Sequence, residues 1–88
     1  MKIRKFAAID IGSNAIRLLT HNVIEESGKA TQFRKSALIR VPVRLGEDSF
    51  TVGEISENNI ARMVKTMKSF QLLMEVAGVE QYRACATS

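Results

Sequence analysis

Asp10, Gly12, Ser13 and Asn14 are the residues of this chain whose types and spacing suit chemistry. The apolar stretch Phe6–Ile9 runs into the carboxylate of Asp10, a Gly-Ser-Asn turn follows, and a second apolar stretch begins at Ala15. The pattern reads as a β-hairpin with its polar groups gathered at the tip. Gly12 permits backbone dihedrals that a Cβ would penalise, and Asn14 tolerates the left-handed region. Backbone N–H groups at such a turn can converge on an anion, and Ser13 and Asn14 add side-chain donors. Asp10 can hold a divalent cation directly or through water, since hard cations prefer oxygen ligands. The tip therefore has the parts of a phosphate-and-metal site. It is not a P-loop, because the Gly-x-x-x-x-Gly-Lys-Ser/Thr spacing is absent. Gly, Ser and Asn are also ordinary turn formers, so the turn alone does not establish a site.

The tip needs a sheet to hold it. Lys5–Ile11 reads as a first strand buried on both faces, with Ala7 and Ala8 small enough for close packing. Ala15–Ile24 reads as a second strand, antiparallel to the first, and Glu26-Ser27-Gly28-Lys29 is a turn signal. Ala30–Leu45 alternates: Phe33, Ala37, Ile39, Val41, Val43 and Leu45 on one face, with Lys35 as the exception. Arg34, Ser36, Arg40 and Arg44 fall on the other face, with Leu38 as the exception. Period two over this length indicates a half-buried strand, and Pro42 places its end at an edge or a bend. Arg34, Arg40 and Arg44 could line a track for a long polyanion, although a solvated face is the commoner role of such a row.

Gly46–Glu54 is a polar loop. Ser56 is a good N-cap, and Glu57 suits the positive end of a helix. Ile60, Met63, Val64, Met67, Phe70, Met74 and Ala77 recur at helical steps and draw one apolar stripe, with Gly78 as the stop. Asn58, Arg62, Lys65 and Lys68 lie largely opposite. Gln81–Thr87 begins a further strand, which a right-handed crossover places parallel to an earlier one. The expected fold class is α/β: β-β-β-α-β, a mixed sheet with the antiparallel meander first and the helix on one face.

The 88 residues amount to one small domain or a piece of a larger one. A chain of this size buries only roughly 60–65% of its unfolded surface. Net charge of +4 favours anionic partners in general. With no Trp, one Tyr and no interleaving of aromatic and basic residues, specific nucleic-acid binding is not expected. No apolar run approaches the ~18–20 residues that span a bilayer. Asp10 and Asn14 interrupt the apolar stretch behind the basic amino terminus, so a signal peptide is not expected and the chain reads as cytoplasmic. The single cysteine, Cys85, excludes an internal disulfide and reads as a buried structural thiol. His21 has no ligand partners nearby in sequence and reads as structural or exposed.

Three blocks, in order, resemble the amino-terminal part of the exopolyphosphatase / guanosine pentaphosphate phosphohydrolase family of the actin-like ATPase superfamily. They are Ala8-Ile9-Asp10-Ile11-Gly12-Ser13-Asn14-Ala15-Ile16-Arg17-Leu18, then Val43-Arg44-Leu45-Gly46-Glu47, then Arg83-Ala84-Cys85-Ala86-Thr87-Ser88. The resemblance implies a ribonuclease-H-like partial domain, with residues 1–88 as an incomplete amino-terminal subdomain of a two-domain phosphatase. It implies Mg²⁺-dependent (or Mn²⁺-dependent) release of terminal phosphate from polyphosphate or guanosine pentaphosphate. On that reading Asp10 orients the metal or its water, Gly12, Ser13 and Asn14 hold phosphate, and Arg17 supports the loop or the anion. Arg44, Glu47, Thr87 and Ser88 are candidates for the substrate cleft. The family's Ala-x-Arg continuation, catalytic glutamate and second-domain phosphate loop do not occur in these residues, so the general base is expected beyond Ser88 and the chain alone is expected to be inert. A sugar-kinase or actin-like ATPase segment is the alternative enzyme. A module that self-associates as a homodimer, through an open sheet edge or the helix stripe, is the alternative of another class.

Overall fold

The computed structural model describes residues 1–45 and 55–86. The elements are β1 (Lys2–Ile11), β2 (Ala15–Glu25), β3 (Gln32–Pro42), α1 (Glu57–Ala77) and β4 (Gln81–Ala86). They form a four-stranded sheet in the order β3-β2-β1-β4. The β1–β2 and β2–β3 pairs are antiparallel, and β4 runs parallel to β1. This is the expected α/β architecture, with the crossover from β3 to β4 carried by α1.

Local signals fix the helix at both ends. The Ser56 hydroxyl accepts from the Asn59 N–H at 3.2 Å, which satisfies one of the helix's orphan donors. At the other end Gly78 turns left-handed at φ 76°. There the Gly78 N–H donates to the Glu75 carbonyl at 3.2 Å and the Val79 N–H to the Met74 carbonyl at 3.0 Å. No helix among the described residues is long and apolar enough to cross a membrane.

The core lies on one face of the sheet. Ala7 and Ile9 of β1, Ile16 and Leu18 of β2, and Val43 and Leu45 beyond β3 pack with Phe70 and Met74 of α1. Met63 and Met67 are partly buried against this cluster, while Ile60 and Val64 of the expected stripe stay exposed. Thr66, which the apolar stripe omits, is buried because its hydroxyl donates to the Arg62 carbonyl at 2.8 Å and so leaves nothing unsatisfied.

Three expectations are corrected. β1 is not buried on both faces: Ala8 is exposed, since α1 covers one side of the sheet and no other described element covers the opposite side. The third strand ends at Pro42 rather than Leu45 and begins at Gln32. Its alternation breaks at a bulge, where Thr20 pairs with Ala37 but His21 pairs with Lys35, leaving Ser36 as the extra residue. The Ser36 and Thr20 hydroxyls lie 2.6 Å apart and bond each other there. Beyond the bulge the faces exchange, so Phe33 leaves the core side and is 72% exposed. Cys85 is exposed rather than buried, because β4 is an edge strand.

Candidate functional site

The Gly12–Asn14 turn is pinned from three sides. The β1–β2 ladder closes it with the pairs Asp10–Arg17 and Ile11–Ile16, and the Gly12 N–H donates to the Ala15 carbonyl at 2.9 Å. From below, Ala15 and Ile16 are buried in the core. From the side, the Asn14 carbonyl accepts two bonds from the segment leaving β3, from the Val43 N–H at 3.2 Å and the Arg44 N–H at 3.1 Å. Neither Gly12 nor Asn14 uses the positive φ that its residue type tolerates; near the turn that conformation falls on Arg44, with φ 61°. The Gly12 N–H is committed within the turn. Ser13 and Asn14 are exposed, and their side chains bond no described residue. They are the donors the turn presents.

Asp10 and Arg17 face each other across β1 and β2, and the Arg17 Nη2 donates to the Asp10 Oδ2. Their side chains keep 32% and 52% of their exposure, respectively. Ladder register extends this pair into a row across the sheet: Cys85 of β4, Asp10 of β1, Arg17 of β2 and Arg40 of β3. Paired residues share a face, so Arg17 and Arg40 stand side by side on the side away from α1. On the same side Ala8, Asp10, Arg17, Leu19, Lys35 and Leu38 line a shallow cleft.

The bulge decides which cations join this face. Arg34 pairs with Asn22 and falls on the helix side, whereas Lys35 and Arg40 share the open side with Arg17. A continuous track through Arg34, Arg40 and Arg44 is therefore not formed. Lys35 was not among the expected site residues, and no sequence signal marks it, since its facing depends on Ser36. Of the remaining candidates, Arg44 adjoins the turn through its amide, while Glu47, Thr87 and Ser88 lie outside the described residues. Ala86 pairs with Ile11, so β4 ends beside the turn. Among the described residues no three acidic, His or Cys side chains gather as a metal cage.

No family model and no curated protein matches the sequence. Solved structures do. A Ppx/GppA family member from Aquifex aeolicus superposes with a TM-score of 0.83 at 26% identity over 97% of this chain and 26% of its own. A second structure of the Aquifex aeolicus PPX-GPPA enzyme gives 0.80 at 28% identity, covering 99% of this chain and 27% of that one. An exopolyphosphatase from Cytophaga hutchinsonii gives 0.76 at 25% identity, covering 97% and 26%. The chain spans about a quarter of the length of these relatives. The fold is thus shared over nearly the whole chain: it is similar to the amino-terminal quarter of Ppx/GppA family structures, within the actin-like ATPase fold.

Proposed function

We propose that this chain supplies one wall of the phosphate site of a Mg²⁺-dependent hydrolase that releases terminal phosphate from polyphosphate or guanosine pentaphosphate. The observation that carries the reading is the pinned turn. Two exposed donor residues, Ser13 and Asn14, project from a backbone held by the ladder, the core and the Val43–Arg44 amides. Preorganised donors of this kind stabilise phosphate charge without reorganising during the reaction.

Ser13 and Asn14 bind the terminal phosphoryl oxygens in this reading, and Arg17 adds a fork-shaped cation able to take two oxygens at once. Asp10 fits Mg²⁺ in the mode where one or two carboxylates, substrate phosphates and waters share the coordination. The cation would supply charge neutralisation at the phosphoanhydride. Asp10 is also the acceptor of the Arg17 guanidinium, so it is poorly placed to serve as general base. Hydrolysis needs a base within hydrogen-bond reach of the attacking water, and no other carboxylate among the described residues lies on the turn or beside it in the ladder. The chain on its own binds phosphoanions and does not hydrolyse them.

The test is calorimetric titration of the chain with tripolyphosphate, with and without Mg²⁺, alongside an assay of phosphate release from long-chain polyphosphate. Binding strengthened by Mg²⁺, with no phosphate released, is the expected result. No binding under either condition overturns the reading, and release by this chain overturns the placement of the base outside it.

A further inference from the structure

The side of the sheet away from α1 has no described element over it, yet its composition is not that of a solvated face. Register puts Phe6 and Ala8 of β1, Leu19 of β2 and Leu38 of β3 on that side, and Leu38 is 53% exposed. The free charges stand on the two outer strands. Arg83 of β4 pairs with Ala8, and Lys35 and Arg40 lie on the same side of β3. All three are exposed, and their side chains make no ion pair or hydrogen bond with a described residue. An exposed apolar centre with a polar rim marks an interaction surface. Moreover, β1 and β4 are parallel and joined through a helix, an arrangement normally covered on both faces. Three strand spacings of roughly 4.8 Å set β3 and β4 roughly 14 Å apart. A helix roughly 10–12 Å wide, laid over β1 and β2, fits between their side chains.

We infer that this open face is a docking surface for an amphipathic helix of another polypeptide, apolar where it meets Phe6, Ala8 and Leu19 and acidic along the flanks that meet Arg83, Lys35 and Arg40. Charge selects among the occupants. A second copy of the chain presents Lys65 and Lys68 on the exposed side of α1, or the same cationic rim if two open faces meet, so like charges oppose it. A free phosphoanion satisfies the cations but leaves the apolar centre in water. The inference is independent of the phosphate-site reading, because Ser13 and Asn14 lie at the hairpin tip, beyond the rows that hold Phe6, Ala8 and Leu19.

The test uses two fluorescein-labelled helical peptides of about 18 residues, roughly 27 Å long, titrated with the chain and followed by fluorescence anisotropy. Both carry the same Leu/Ala stripe, one flanked by Glu and the other by Lys. The Glu-flanked peptide should bind, and the Lys-flanked peptide should bind about tenfold more weakly or not at all. The double variant Lys35→Glu/Arg40→Glu should weaken the Glu-flanked peptide by roughly 3- to 30-fold, as two flank pairs turn repulsive. Lys65→Glu/Lys68→Glu, on the helix, should leave that affinity unchanged. Equal binding of the two peptides, binding of neither, or equal loss in both double variants overturns the inference. A change in the sedimentation mass of the chain on Lys35→Glu/Arg40→Glu also overturns it, because the face then belongs to a second copy. Loss of tripolyphosphate binding in that variant with peptide binding intact overturns it as well, since the cations then serve a free anion.

Discussion

Asp10→Asn should make the chain bind metal-free tripolyphosphate more tightly, not less. Arg17 and Asp10 are bound to each other across β1 and β2, yet the proposed site uses Arg17 for the anion and Asp10 for the cation. In the absence of metal the carboxylate competes with phosphate for the guanidinium. The substitution keeps the shape of the side chain and removes its charge. The side chains are 52% exposed for Arg17 and 32% exposed for Asp10, so the pair belongs with solvent-screened ion pairs of about 0.2–1 kcal/mol. Released to the ligand, that energy corresponds to roughly 1.4- to 5-fold in affinity. The stimulation by Mg²⁺ should disappear in the same variant, because the oxygen ligand for the cation has lost its charge. Calorimetric titrations of parent and variant, at low and at high ionic strength, read both effects, and screening should shrink the metal-free gain at high salt. Weaker metal-free binding by Asp10→Asn, or undiminished Mg²⁺ stimulation, would refute the division of roles between these two residues.

Other substitutions test the scaffold. Phe70 is 1% exposed at the centre of the helix–sheet contact, so Phe70→Ala should cost about 3–5 kcal/mol. A domain of this length holds only roughly 4–13 kcal/mol, so urea unfolding followed by circular dichroism should show the transition moved to clearly lower denaturant, and an unchanged midpoint would contradict the burial of Phe70. Ser56→Ala removes the acceptor for the Asn59 N–H and should lower stability by about 1 kcal/mol. Gly78→Ala, at φ 76°, should cost about as much through backbone strain, and no change there would contradict the left-handed cap. Along β4 every residue is exposed and β1 is its one described neighbour, so the chain should self-associate as a two-fold dimer through that edge. Sedimentation at increasing concentration checks this, and a constant monomer mass rules it out.

Most of the architecture was legible because its signals are local. Ser56 and Gly78 bound the helix as their side chains and dihedral preferences require, and Phe70 and Met74 fall on the buried side as their spacing dictates. The register of β3 was not legible. Alternation shows which residues share a face only while the ladder is unbroken, and the bulge at Ser36 exchanges the faces of every residue before it. Phe33 consequently reads as core and is exposed, and Arg34 reads as a neighbour of Arg40 yet lies on the opposite side. Cys85 reads as buried from its apolar neighbours, but burial of a strand depends on what packs on its faces and edge. The composition of the turn was readable, whereas its mode of support was not. Residue preference makes Asn14 tolerant of left-handed geometry, yet it occurs at Arg44, where the bonds to the Asn14 carbonyl hold it.

The left-handed backbone at Arg44 rather than within the turn bears on how the site is held. A turn that carried its own left-handed residue would be specified by two or three neighbours in sequence and could rock on the end of its hairpin. Here the Asn14 carbonyl is fixed by the exit of β3, and Val43 in that exit is anchored in the same core as Ile16 beneath the turn. Any movement of Ser13 and Asn14 relative to the sheet must therefore break two backbone bonds or disturb that core. Close-packed interiors resist such deformation. The donors proposed to meet phosphate thus sit on a rigid joint between three strands, the condition that makes electrostatic preorganisation effective.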